Sequence, residues 1–180
     1  IYPYLIISVS GLCLDKRYRI KAGFTQASPH RYKYQKPKGW KLGTTNDVIQ
    51  RPIVLYSHPD GAQPGEYWMN KSLNFLRMKV TNNPHNKDYI HLNSMHLYVI
   101  TIFISETDDV NHENLVFKKD LFDTRFVAVT AYQNKRITKL KIQHNHYAKG
   151  FKNGQRKPKE SSDEGADESH MIVQDENILI

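Results

Sequence analysis

The residue types best able to do chemistry lie between Phe126 and Lys159. Nine bases fall there, Lys135, Arg136, Lys139, Lys141, Lys149, Lys152, Arg156, Lys157 and Lys159, and no acid. The chain carries 18 acids in 180 residues, so an acid-free run of this length is uncommon in it. Bases without countercharges are suited to neutralising the phosphates of a polyanion and releasing its counterions. A solvated basic face would show the same charges. Two aromatics four residues apart, Tyr147 and Phe151, sit beside Lys149 and Lys152, and a solvated face has no need of them. Thr130 and Asn134 add a hydroxyl and an amide, groups that hydrogen-bond phosphate and fix register.

Other chemistries find less support. His144 and His146 are two apart, which points them to different faces of a helix, and His91 and His96 are separated by a strand break. No His-Glu-x-x-His spacing or cysteine pair exists, and Cys13 is the single cysteine, so no metal site, disulfide or cofactor is expected. His58-Pro59-Asp60-Gly61 reads as a turn. There is no G-x-S-x-G, no P-loop and no G-x-G-x-x-G, so no enzyme is expected. Trp68-Met69 reads as core or loop anchoring. Tyr32 and Tyr34, flanked by Arg31 and Lys33, read as a surface strand.

The elements that must position these groups are mostly strands. Leu5, Ile7 and Val9 alternate with polar or outward residues, as do Tyr18, Ile20, Ala22 and Phe24, and Leu76, Met78 and Val80. Tyr89–Leu92 and Met95–Ile104 follow, the second rich in β-branched residues. Turn signals stand at Lys38-Gly39, Pro59-Asp60-Gly61 and Asn82-Asn83-Pro84. Phe126–Tyr132 alternates as a half-buried strand. The period then changes: Asn134 is placed to N-cap a helix, and Ile137, Leu140 and His144 recur at helical spacing. Many short strands with one late helix predict a mainly β fold, a β-sandwich.

Charge divides the chain. Residues 1–159 carry a net +15 and residues 160–180 a net −7, the pattern of a basic binding domain with an acidic tail. The tail over 153–180 is expected to be disordered, being polar and poor in aromatics. Its mixture of acids with Met171-Ile172-Val173 and Ile178-Leu179-Ile180 suits a partner-binding segment. Arg156-Lys157-Pro158-Lys159 would serve nuclear import. The longest apolar run, Leu97–Ile104, is too short to span a bilayer, and no membrane association is expected.

Within this frame the motifs resemble those of the T-box DNA-binding domain. Phe126–Asn134 reads FVAVTAYQN, followed by ITKLKI, Asn145 and AKGF ending at Phe151. Earlier, His30–Tyr34 is similar to H-R-W-K-Y. His58-Pro59-Asp60 with Pro64-Gly65 and Trp68-Met69 is similar to H-P-D-S-P-x-x-G-x-x-W-M. Phe75–Asn83 is similar to F-x-K-L-K-L-T-N-N, and Ile90–His96 to I-x-L-N-S-M-H. The resemblance covers residues 1–152 and implies a DNA-binding domain there. Its fold would be an immunoglobulin-like β-sandwich of the p53-like transcription-factor type with short C-terminal helices.

The resemblance further implies a nuclear transcription factor of RNA polymerase II genes that reads duplex DNA with a core close to AGGTGTGA. Homodimers on palindromic sites and transcriptional co-regulators would be its protein partners. Position by position, Tyr147 and Phe151 would enter the minor groove, Lys152 would reach a phosphate or base edge, and Lys141 would contact the backbone. The chain departs from the family at His146, Tyr147 and Lys152. It also has Leu97-Tyr98-Val99-Ile100-Thr101 where the family has K-Y-x-P-R, and the family's R-R would fall ahead of Ile1, outside this sequence. A β-sandwich that binds protein partners, with weakened or altered DNA binding, is the alternative function.

Overall fold

A computed structural model of the chain describes residues 4–43, 53–108, 110, 112–132, 134–144 and 172–174. Ten strands and two helices follow one another: β1 (Ile6–Ile7), β2 (Arg17–Gln35), β3 (Gly39–Leu42), β4 (Leu55–Pro64), α1 (Gly65–Met69), β5 (Leu73–Asn74), β6 (Val80–Thr81), β7 (Ile90–His91), β8 (His96–Thr107), β9 (Glu113–Val129), α2 (Lys135–His144) and β10 (Ile172–Gln174). The mainly β expectation holds. The main sheet runs β10-β9-β8-β2-β3, with β4 also paired to β2, and small pairs β1-β5 and β6-β7 complete the structure.

The alternation read from β2 is realised in full. Tyr18, Ile20, Ala22 and Phe24 are all buried in one core cluster with Ile100, Ile102 and Ile104 of β8. Their register explains it, since Ile20 lies opposite Ile104, Ala22 opposite Ile102 and Phe24 opposite Ile100. Trp68, Leu73, Phe75 and Met78 close the core from α1 and the segment after it. Trp68 is fully buried and its Nε1 donates to the Tyr18 carbonyl at 2.8 Å, which confirms it as a core anchor. Gly65 begins α1 under the Cys13 carbonyl. A Cβ there would lie 2.1 Å from that oxygen, so only glycine permits the approach.

Three expectations need correction. The segment His58–Gly61 is not a free turn: it lies inside β4, where the register with β2 jumps between Arg19 opposite Ala62 and Lys21 opposite Ser57. The turn residues make a bulge, with Gly61 at φ +70°. Second, the strand at Phe126 begins far earlier, at Glu113, as the return arm of a hairpin with β8. Third, it ends at Val129 and not at Tyr132, because Thr130 and Ala131 bend away from the sheet and are exposed.

The bulge carries a polar lock. The Asp60 carboxylate accepts from Lys71 Nζ and from Tyr67 Oη, and the Lys71 ammonium lies 3.9 Å from the Tyr67 ring centre. Hydrogen bonds from Lys71 and Tyr67 hold the Asp60 carboxyl below its ordinary range. His58 sits between Trp68 and Phe75, with ring centres 5.2 and 5.4 Å away. Its Nδ1 accepts the Asp60 backbone N–H at 3.3 Å, so the ring is held neutral. Burial pushes the His58 pKa below 6.5. A His pKa lowered by folding contributes stability that is complete above the unfolded value and lost as pH falls through the folded one. Melting temperature should therefore fall between about pH 7 and pH 5, before the separate loss at still lower pH when Asp60 protonates. His58→Asn should flatten that upper window, as thermal unfolding across pH would reveal; an unchanged slope would remove His58 as its source.

Candidate nucleic-acid interface

The site is built on the last residues of β9. Phe126, Val127, Ala128 and Val129 are all buried. Phe126 meets Phe24 edge-on at 5.7 Å and stacks on Tyr98 at 6.1 Å. Such pairs add about 0.5–1.5 kcal/mol to the area they bury. One residue beyond Val129, Thr130 is exposed. Strand and surface thus meet at a fixed point.

A second segment is tied to that point. The Met95 backbone N–H donates to the Ala128 carbonyl at 2.6 Å, and the Met95 carbonyl accepts from Tyr32 N–H at 2.7 Å. Met95 makes both bonds at φ +66°, a left-handed conformation uncommon for a residue with a side chain. The turn therefore stitches β9 to β2 and brings Arg31, one residue from Tyr32, to the same end as Thr130. Arg31, Asn82, His91, Asn93, Ser94 and His96 line an open polar cleft of about 270 Å³ here. His96 is buried, its Nδ1 donating to the Ser94 carbonyl at 3.0 Å. The sequence motifs around Arg31 and Asn93 were visible, but it is the Met95 bonds, together with the start of β8 between β2 and β9, that join them to the β9 end.

The helix follows as its cap requires. Asn134 Oδ1 accepts the Arg136 N–H at 2.9 Å, and the Asn134 carbonyl accepts from Thr138 N–H at 3.1 Å. Lys135, Arg136 and Lys139 are exposed on α2, and Lys141 lies in the same helix. Of the apolar positions, Ile137 is half-buried while Leu140 is 48% exposed. Burial pushes the Tyr132 hydroxyl up to about 12, so this phenol, overlooked in the sequence, remains a hydrogen-bond donor. The structure thus places Thr130, Asn134 and the α2 bases together, whereas Tyr147, Lys149, Phe151 and Lys152 lie outside the described residues.

The charge pattern distinguishes this end. Among the described residues, ion pairs join Lys16 to Glu106 at 3.0 Å, Arg19 and Lys21 to Glu113 at 3.3 and 2.6 Å, and Lys71 to Asp60. None of them draws on Arg31, Lys33, Lys135, Arg136 or Lys139. Nor do the described His, Cys, Asp and Glu side chains form a group of three able to hold a metal ion. No helix among the described residues is long and apolar enough to cross a membrane.

Asn134→Ala removes the α2 cap. Loss of such a cap costs about 1 kcal/mol, so the α2 amides should exchange about fivefold faster, with little change in global melting. Hydrogen exchange resolved by residue checks this, and Asn134→Ser should restore the slower rates.

Comparison with known proteins agrees with these features. The T-box family profile matches residues 1–153. T-box protein 2 of Caenorhabditis elegans is 39% identical over 157 residues, covering 84% of this chain and 36% of that protein. T-box transcription factor T of Xenopus laevis is 36% identical over 171 residues, covering 94% of this chain and 39% of that protein. T-box protein 37 of Caenorhabditis elegans is 33% identical over 177 residues, covering 94% and 55%. The chain spans about a third of the length of several curated relatives that it matches, and only 19% of T-box protein 1 of Patiria pectinifera. With its motifs and its β framework in accord, the chain belongs to the T-box family, a family of transcription factors and not of enzymes.

Proposed function

We propose that this chain is the duplex-DNA-binding domain of a nuclear transcription factor acting on RNA polymerase II genes. The observation that carries the reading is the set of exposed bases at the β9 end that have no acidic partner among the described residues. Arg31, Lys33, Lys135, Arg136 and Lys139 have no acidic ion-pair partner among the described residues and are free there to neutralise phosphates. Relatives that bear the name transcription factor support it.

In this reading Thr130 and the Asn134 amide nitrogen bond phosphate oxygens, which fixes the register of the domain on the duplex. Lys141 and Lys149 add backbone contacts. Tyr147 and Phe151 enter the minor groove as apolar wedges, with Lys152 on a phosphate or base edge. The preferred core is a T-site close to AGGTGTGA. Homodimers on palindromic sites and co-regulators bound outside the groove-facing surface complete the scheme. The departure at Leu97–Thr101 changes this picture in one respect. Tyr98, Val99, Ile100 and Thr101 are buried within β8, so this stretch offers the duplex no base of its own, and Arg31 and α2 carry more of the phosphate binding.

Three measurements test the proposal. Neutralising about five phosphates gives a log–log salt slope near −4 or steeper; a flat response would exclude phosphate-led binding. Selection from random duplexes should enrich a T-site core. Against that core, Phe151→Ala should lower affinity by about tenfold, since aromatic contact with bases is worth roughly 1–3 kcal/mol, and should leave random-duplex binding and melting nearly unchanged. A large drop in melting temperature with normal binding by the folded fraction would make Phe151 a core residue instead.

A further inference from the structure

A second basic stretch lies early in the chain. Residues 16–46 hold nine bases and no acid. Lys16, Arg19 and Lys21 meet acids at the far end of the sheet. Five of the others, Arg31, Lys33, Lys36, Lys38 and Lys41, are exposed on the β2-β3 hairpin. Its pairing fixes which way they point. Lys33 lies opposite Lys41, whereas Tyr32 lies opposite Leu42 and Tyr34 opposite Trp40. Strand side chains alternate, so Arg31, Lys33 and Lys41 share one face and Tyr32, Tyr34 and Trp40 the other. The aromatic face braces the arm: Tyr34 meets Trp40 edge-on at 5.3 Å, a cross-strand contact that stabilises a hairpin. The basic face does the reverse. Like charges set directly opposite destabilise a strand pair, and among the described residues no acid pairs with Lys33, Lys41 or Arg31.

The arm also projects in a fixed direction. β2 is antiparallel to β8 and β8 to β9, so β2 and β9 run the same way. Arg31 lies opposite His96, and the next residue, Leu97, lies opposite Val127. Arg31 thus stands level with the last residues of β9. Residues 32–35 carry on past it for about 13 Å, beyond the sheet end from which Thr130 and α2 also leave. β3 stands three places from β9 in the sheet. That is about 14 Å at the usual strand spacing, the axial length of about four base pairs. We propose that the β2-β3 hairpin is a second phosphate-binding element, which grips the duplex backbone to one side of the stretch met by Thr130 and α2, with a phosphate held between Lys33 and Lys41. The proposal rests on the DNA-binding reading above and adds a surface to it. A phosphate between the two ammonium groups cancels their repulsion. Arg31, at the rim of the polar cleft, adds a forked donor on the same face. Lys36 and Lys38 at the tip extend the positive field along the backbone. The footprint on DNA is therefore longer than β9 and α2 alone would make it.

The test compares three forms of the full 180-residue chain: the parent, Lys33→Gln with Lys41→Gln, and Lys118→Gln with Lys119→Gln. The last two lysines are exposed on β9 opposite Phe103 and Ile102, toward the other end of the sheet. Replacing them removes the same charge away from the hairpin. On a random-sequence duplex the hairpin variant should bind about tenfold more weakly at low salt, with a log–log salt slope shallower by about two. The Lys118 and Lys119 variant should keep the parent slope. Equal shifts in both variants would reduce the effect to net charge and overturn the proposal. A hairpin variant that keeps the parent slope would overturn it and leave the DNA-binding reading intact. Melting temperature should not fall in the hairpin variant, since a repulsion is removed; a clear fall would show the lysines held by a partner within the chain and overturn the premise. The parent alone supplies a measurement free of any effect on folding. Bound duplex should shield Lys33 and Lys41 from acetylation more than Lys118 and Lys119, and equal shielding would overturn the proposal. A parent that binds no duplex would remove the functional reading together with this one.

Discussion

The interface depends on β9 being held from both sides just before it ends. Four consecutive residues, Phe126 to Val129, are buried, and the Ala128 carbonyl takes the Met95 amide at 2.6 Å. A side chain at positive φ carries strain of order 1 kcal/mol or more. Met95 offsets that strain with two short backbone bonds, one to β9 and one to β2. The outcome is a rigid platform from which Thr130 departs. α2 has little core of its own, since Leu140 is exposed and Ile137 only half-buried. The placing of its bases therefore comes from the platform and from the Asn134 cap more than from helix packing.

Electrostatics divides along the same line. At the opposite end of the sheet, where β8 turns into β9, bases are matched: Arg19 and Lys21 converge on Glu113, and Lys16 meets Glu106. Exposed pairs of this kind add little stability, but they cancel the local field. Toward the β9 end the described bases keep their charge uncancelled. A surface of that kind raises the local concentration of a polyanion and guides its approach.

How much of this was legible in the sequence follows from the range of each interaction. The Asn134 cap and the α2 start were readable because a cap is decided within four residues. The β2 core face was readable because burial on one side imposes a period of two. The hairpin arm over Glu113–Arg125 was not, because neither of its faces is deeply covered: Leu115, Val116 and Phe117 are 46–53% exposed, and no alternation is imposed on them. The bulge in β4 was misread because Pro59-Asp60-Gly61 carries turn chemistry, and only pairing with β2 on both sides turns it into a strand interruption. The Met95 bonds and the ring cage around His58 join residues far apart in sequence, which no local pattern reports. Of the candidate site, the basic helix and Thr130 could be read directly, while the contribution of Arg31 had to wait for the fold.

Thr101 carries an implication for how this chain could change over generations. Its hydroxyl lies 2.6 Å from both Thr25 Oγ1 and Asp120 Oδ1, and the residue is fully buried. The family pattern has an arginine at this position. Restoring one here would push a guanidinium into a sealed space between strands, where an ill-fitting buried charge costs several kcal/mol. An arginine at 101 would therefore require Thr25 and Asp120 to give way as well, so changes in what this domain's surface presents fall more readily on residues already exposed.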